Sequence, residues 1–199
     1  MVLNKLKKPL SILALVSSVL IITVTVFAKT DSDVSREYHL KAAFLRYVAM
    51  FVTWPTEATS QTANNICLLG DVPDLEGMNS INGRMVNDKP IVVRPVASLD
   101  VAKKDCQILF ISRSEEKNLG NIIEQTKGLP ILTFGDMEGF AESGGDMNFY
   151  IVNNRMAIMI NQESVAASKL TIAPRMLRLV TIVPNVDETT EPQAQKKAG

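Results

Sequence analysis

Cys106-Gln107-Ile108-Leu109-Phe110-Ile111-Ser112 sets four consecutive apolar residues between Cys106-Gln107 and a serine. Such a run has no alternation to give one wet face, so it reads as a strand covered on both sides. Two more stretches have the same build. Ile66-Cys67-Leu68-Leu69-Gly70-Asp71 ends in Gly-Asp, and so does Pro130-Ile131-Leu132-Thr133-Phe134-Gly135-Asp136. Between the second and third runs, Ser114 offers a helix cap, followed by Glu115, Glu116, Leu119, Ile122 and Ile123, and Gly128 ends the segment. A brief helix is expected over 74–81. Met85-Val86 and Ile91-Val92-Val93 read as strand around the turn residues Asn87-Asp88-Lys89-Pro90. Buried strands alternating with helices predict an α/β fold: a mostly parallel sheet flanked by helices on both faces.

The C-terminal part has a different pattern. Met147–Val152 and Arg155–Ile160 flank Asn153-Asn154, residues that tolerate positive φ, so an antiparallel hairpin is expected there. Helical pieces follow over 162–168 and 174–180.

The first helix of the mature domain is capped by Asp31, Ser32 or Asp33 and is stopped by Trp54-Pro55. Tyr38, Ala42, Leu45, Ala49 and Val52 make one apolar stripe, and Leu40, Phe44, Tyr47 and Phe51 make a second. Two stripes exceed what one sheet face covers. Phe44, Tyr47 and Phe51 are therefore candidates for a partner or dimer contact, against the plainer reading of a helix wholly inside its own core.

Upstream, Lys5, Lys7 and Lys8 precede a charge-free stretch from Leu10 to Ala28, and Val26-Phe27-Ala28 offers a cleavage site. This is the pattern of a secretory signal, with an N-terminal membrane anchor as the alternative; both place the domain outside the cytoplasm. The expected organisation is a signal peptide over 1–28, a domain over 29–182 and a disordered polar tail over 183–199. The whole chain of 199 residues is neutral, with 21 basic and 21 acidic side chains. Subtracting the three signal lysines leaves 18 basic against 21 acidic, a net charge of −3. Nucleic acid is not an expected partner of such a chain.

Catalytic equipment is sparse. His39 is the only histidine, which excludes a zinc site built on two, and an exposed or hydrogen-bonded structural role is its simplest reading. Phosphate-binding glycine motifs are missing, and no cofactor, no metal and no enzymatic activity are expected. Asp71, Ser112 and Asp136 fall at the carboxyl edge of the expected sheet, where open α/β folds bind small ligands. The alternative is that Gly-Asp is ordinary loop chemistry. Cys67 and Cys106 open neighbouring predicted strands, and an even cysteine count in an exported chain favours a disulfide. Both a structural staple and a redox-sensing bond fit this pair.

Together these pieces resemble the YfiR family of bacterial periplasmic proteins. The resemblance is carried by Tyr38, Lys41-Ala42-Ala43-Phe44-Leu45, Phe51, Trp54-Pro55 and the two cysteine-bearing strands. It continues through Pro130–Thr133, Gly139-Phe140-Ala141, Gly144-Gly145 and Leu177-Arg178-Leu179. Gln107 stands where the family commonly has histidine, and Asp146 where an apolar residue is usual. The resemblance implies a homodimeric regulator with a Cys67–Cys106 disulfide. It would bind and inhibit the periplasmic sensor domain of a YfiN-type membrane diguanylate cyclase, lowering cyclic di-GMP and with it biofilm formation. A small-ligand module using the carboxyl edge is the alternative function.

Overall fold

The structure is a computed structural model and describes residues 30–56 and 61–184. The expected signal segment, and the tail beyond Pro184, lie outside these residues. Helix α1 (Asp31–Phe51) ends three residues before Trp54, because Val52–Thr53 form a short strand, β1. Strand β2 (Asn64–Leu69) leads through Gly70 to α2 (Leu75–Asn79), whose N-cap Asp74 accepts a hydrogen bond from the Gly77 amide. Strands β3 (Met85–Val86) and β4 (Lys89–Val96) turn at Asn87 and Asp88, both at positive φ. Helix α3 (Leu99–Asp105), which the sequence pattern did not predict, precedes β5 (Ile108–Ile111).

Downstream of β5, a 3-10 segment (Arg113–Asn118) leads into α4 (Leu119–Thr126) and β6 (Leu132–Gly135). Ser114 does not cap this helix; its hydroxyl instead accepts the Asp71 amide at 2.8 Å, tying the end of β2 to the end of β5. Strands β7 (Met147–Val152) and β8 (Arg155–Ile160) form the hairpin, with Asn153 at φ 49° and Asn154 at φ 57°. The remaining elements are α5 (Gln162–Ala167), β9 (Thr171–Ile172), α6 (Pro174–Leu177) and β10 (Thr181–Ile182).

Eight strands form one sheet in the order β10-β8-β7-β6-β5-β2-β4-β3, while β1 and β9 pair separately and antiparallel. Only β7–β8 and β3–β4 are antiparallel in the large sheet; its centre, β7-β6-β5-β2-β4, is parallel throughout. The outer edge of β4 is closed to further pairing. Its Ile91 and Val93 amides are taken by Arg84 O and Asn82 Oδ1, and Pro95 has none to offer.

Alternation along the central strands builds two cores. Ile66, Leu68, Ile108, Phe110, Leu132 and Phe134 face the first, which α1 covers with Tyr38, Ala42, Leu45, Val48 and Ala49. Cys67, Leu69, Leu109 and Ile111 face the second, under Ala102 of α3, Ile122 of α4 and Phe140. This accounts for runs that are apolar at every position. Gly135 and Gly145 both lie against the Phe140 ring, where a Cβ would collide with it. In the Gly144-Gly145 pair, close packing thus fixes Gly145, while Gly144 supplies the positive φ of 104°.

Candidate functional site

Three places could carry function: the carboxyl edge of the sheet, the disulfide, and the outer face of α1. At the edge, α1 starts beside the carboxyl end of β6, and the chain just after it reaches the opposite, amino end of β5. Its Tyr38 hydroxyl donates to Asp136 Oδ2 at 3.0 Å, while the Trp54 indole N–H donates to Gln107 O at 3.2 Å, just ahead of β5. Lys41 Nζ lies 2.5 Å from Asp136 Oδ1 and 2.6 Å from Glu37 Oε1, and packs over the Tyr38 ring. Burial lowers the Lys41 ammonium below its usual range, an effect opposed by Asp136. Burial next to the Asp136 carboxylate raises the Tyr38 phenol.

The three edge residues therefore have different surroundings. The Asp136 carboxylate is filled by α1's own side chains. Ser112 is buried, and its hydroxyl donates to Asp71 O. Asp71 is exposed at the rim. Lys41 and Tyr38 were not singled out for this edge by the sequence reading. The signal available was a lysine one helical turn after Tyr38, on the inward stripe. Elsewhere on α1, His39 is exposed, with Nδ1 2.9 Å from Ser35 O in its own helix.

Cys67 and Cys106 are bonded, with Cα atoms 5.8 Å apart and a sequence separation of 39. They do not sit level in register. Cys67 is inside β2 opposite Leu109, whereas Cys106 caps the end of α3 before β5 begins. The bond thus ties α3 to the underside of β2. Both residues are buried.

The two departures from the family pattern are also buried and partnered. Gln107 Oε1 accepts the Asn65 amide at 2.7 Å. Asp146 Oδ2 accepts both the Thr133 amide and hydroxyl at 2.8 Å, and its Oδ1 accepts Ser164 Oγ at 2.7 Å. Desolvation raises the Asp146 carboxyl above its ordinary value, and these hydrogen bonds oppose the shift.

On the outer face of α1 lies an apolar groove of about 460 Å³. Leu40, Ala43, Phe44 and Tyr47 form one wall, Met156 to Ile158 of β8 the floor, and Met176, Leu179 and Val180 the other wall. Leu40 is 44% exposed and Leu179 68%. The second stripe of α1 therefore splits. Leu40, Phe44 and Tyr47 line the groove, with Phe44 also 6.0 Å from the Phe149 ring. Phe51 is placed differently. It is buried, in edge contact with Tyr47 at 4.5 Å and covered by the Arg175 guanidinium at 4.2 Å. The half of the groove made by β8 and α6 was not visible in the sequence pattern, since it arrives from residues over a hundred positions away.

Comparison with known proteins adds three findings. The profile of the family described as DUF4154, YfiR/HmsC-like, matches residues 38–181. No curated protein matches the chain. Among solved structures, a conserved domain protein from Vibrio cholerae O1 biovar El Tor shares 8% identity at a TM-score of 0.50, over 74% of this chain and 60% of that one. The ABC domain from Streptococcus pneumoniae, solved with L-Trp, shares 8% identity at a TM-score of 0.52, over 73% and 60%. These likenesses concern the fold alone, and the chain spans about 60% of the length of either structure.

Proposed function

The chain belongs to the YfiR/HmsC-like family, and from that premise we propose that it restrains a YfiN-type membrane diguanylate cyclase by binding the cyclase's periplasmic sensor domain. The family is regulatory and acts in diguanylate cyclase signalling from the periplasm. Among the described residues no helix is long and apolar enough to cross a membrane. The reading continues with export by cleavage after Ala28 and assembly as a homodimer.

The observation that carries it is the groove. Leu40 and Leu179 leave apolar side chains in water along a recess lined by further apolar residues, the usual mark of a surface kept for a partner. Phe44 and Tyr47 supply rigid aromatic area at its wall. Inhibition follows if the groove binds the inactive arrangement of the sensor domain better than the active one, so that occupancy shifts the cyclase toward the inactive state.

The test is cyclic di-GMP in a host carrying the cyclase. Deleting this gene should raise it, and the wild-type gene should restore it. A Leu179→Glu variant should be exported and folded yet fail to restore it. An unchanged level on deletion overturns the reading.

A further inference from the structure

The three segments lining the groove, residues 36–47, 155–160 and 174–180, are unbalanced in charge. They hold Arg36, Lys41, Arg46, Arg155, Arg175 and Arg178 against one carboxylate, Glu37. That carboxylate is paired with the buried Lys41. Arg36, Arg155, Arg175 and Arg178 are all exposed. Arg36 continues the helical stripe of Leu40, Ala43 and Tyr47, so it extends the wall toward the start of α1. On the far wall Arg178 adjoins Leu179, whereas Arg155, which alternates with the inward Met156, Ile158 and Ile160, turns to the other face of the sheet. The apolar recess therefore has an exposed arginine beside each wall, Arg36 on one and Arg178 on the other, although the mature chain as a whole is acidic.

We propose that the groove receives a protein segment that is apolar along its middle and acidic on its flanks. This deepens the reading of the groove as the partner surface and rests on it. Because the lining is recessed and an arginine stands beside each wall, apolar and acidic groups must come from one narrow ridge, which an amphipathic helix or strand supplies and a bilayer surface does not. A second copy of the chain fits poorly. Two grooves facing each other across a two-fold axis would set arginine against arginine.

The experiment uses two fluorescein-labelled model helices of about twenty residues, identical in a leucine face and flanked by either glutamate or lysine. Each is titrated by anisotropy into the protein purified as the host exports it. The glutamate-flanked helix should bind roughly tenfold more tightly, and the difference should shrink as salt shortens the screening length. Arg36→Glu/Arg178→Glu should reverse the order, while Leu179→Asp should weaken both helices alike. Equal binding of the two helices overturns the proposal. So does Arg178-dependent capture on phosphatidylglycerol vesicles with neither helix bound, which would make this a membrane face. Removal of residues 185–199 that tightens binding more than tenfold also overturns it, since the occupant would then be the chain's own tail. In cells, Leu179→Glu that derepresses while the double arginine variant represses normally overturns the acidic partner alone. Normal repression by both overturns the groove reading itself.

Discussion

The Lys41 ammonium and the Asp136 carboxylate meet at 2.5 Å with 3% and 5% of their side chains exposed, so an ion pair shut off from water fastens the first helix to the end of β6. Removing Lys41 leaves the buried Asp136 carboxylate with only the Tyr38 hydroxyl, at a cost of up to about 3–5 kcal/mol, and removing Asp136 leaves the buried ammonium with Glu37 alone. Lys41→Met and Asp136→Asn should each lower the urea midpoint strongly. The double variant should lose much less than the sum, a coupling that a double-mutant cycle reads directly. Additive losses would mean that the pair does not act as a unit.

Asp146 yields a pH prediction. Its folded carboxyl titrates above the ordinary value of 3.8, chiefly through desolvation. Between the two values the folded state holds more protons than the unfolded chain, so this group's contribution favours folding at low pH and declines as pH rises through the window. Asp146→Asn keeps an acceptor toward Thr133 and offers an amide to the Ser164 hydroxyl. It should remove this slope and hold stability at pH 7 within about 1 kcal/mol of wild type or above it. Asp146→Ala should cost about 1–3 kcal/mol by orphaning the Thr133 amide. Urea titrations across pH 4–8 check both.

The disulfide closes a loop over a separation of 39 residues, for which the chain-entropy model gives about 4 kcal/mol. A Cys67→Ser/Cys106→Ser variant should lose up to that amount in urea. With both sulfurs in the second core, the native bond should resist reductant until the domain opens. Mass spectrometry after reductant and alkylation, with and without urea, distinguishes this from ready reduction in the folded state.

The two stripes of α1 should separate on substitution. Leu45 is 0% exposed and Leu40 44%. Leu45→Ala should cost about 2–5 kcal/mol, whereas Leu40→Ala should stay within roughly 0.5 kcal/mol of wild type. Comparable losses at the two positions would mean that Leu40 belongs to the core.

Much of this architecture could be read from residues near one another in sequence. The central strands announce themselves because a strand covered on both faces has no polar position to spare, and Asn153-Asn154 supplies the backbone its hairpin needs. The misses have a common cause. Helix α3 is seven residues long and closes on Lys103-Lys104-Asp105, too short for a helical period to emerge. The two-residue strands β1, β9 and β10 exist only through partners brought from elsewhere. At the candidate site, the α1 wall was visible as a second stripe, but its opposite wall needed the folded chain. Lys41 was legible only as a charge on an apolar stripe, since its buried counter-charge, Asp136, follows a strand far along the chain.

Tyr38 and Asp136 are 98 residues apart along the chain. Synthesis proceeds from the N-terminus, so α1 is made long before β6 exists to receive its lysine and its buried stripe. For that interval its lysine has only Glu37 of the same helix beside it, and its apolar face has only the strands already made to cover it. The first element of the domain to be produced is thus completed only after most of the chain has followed it, and until then it is a segment a chaperone could hold.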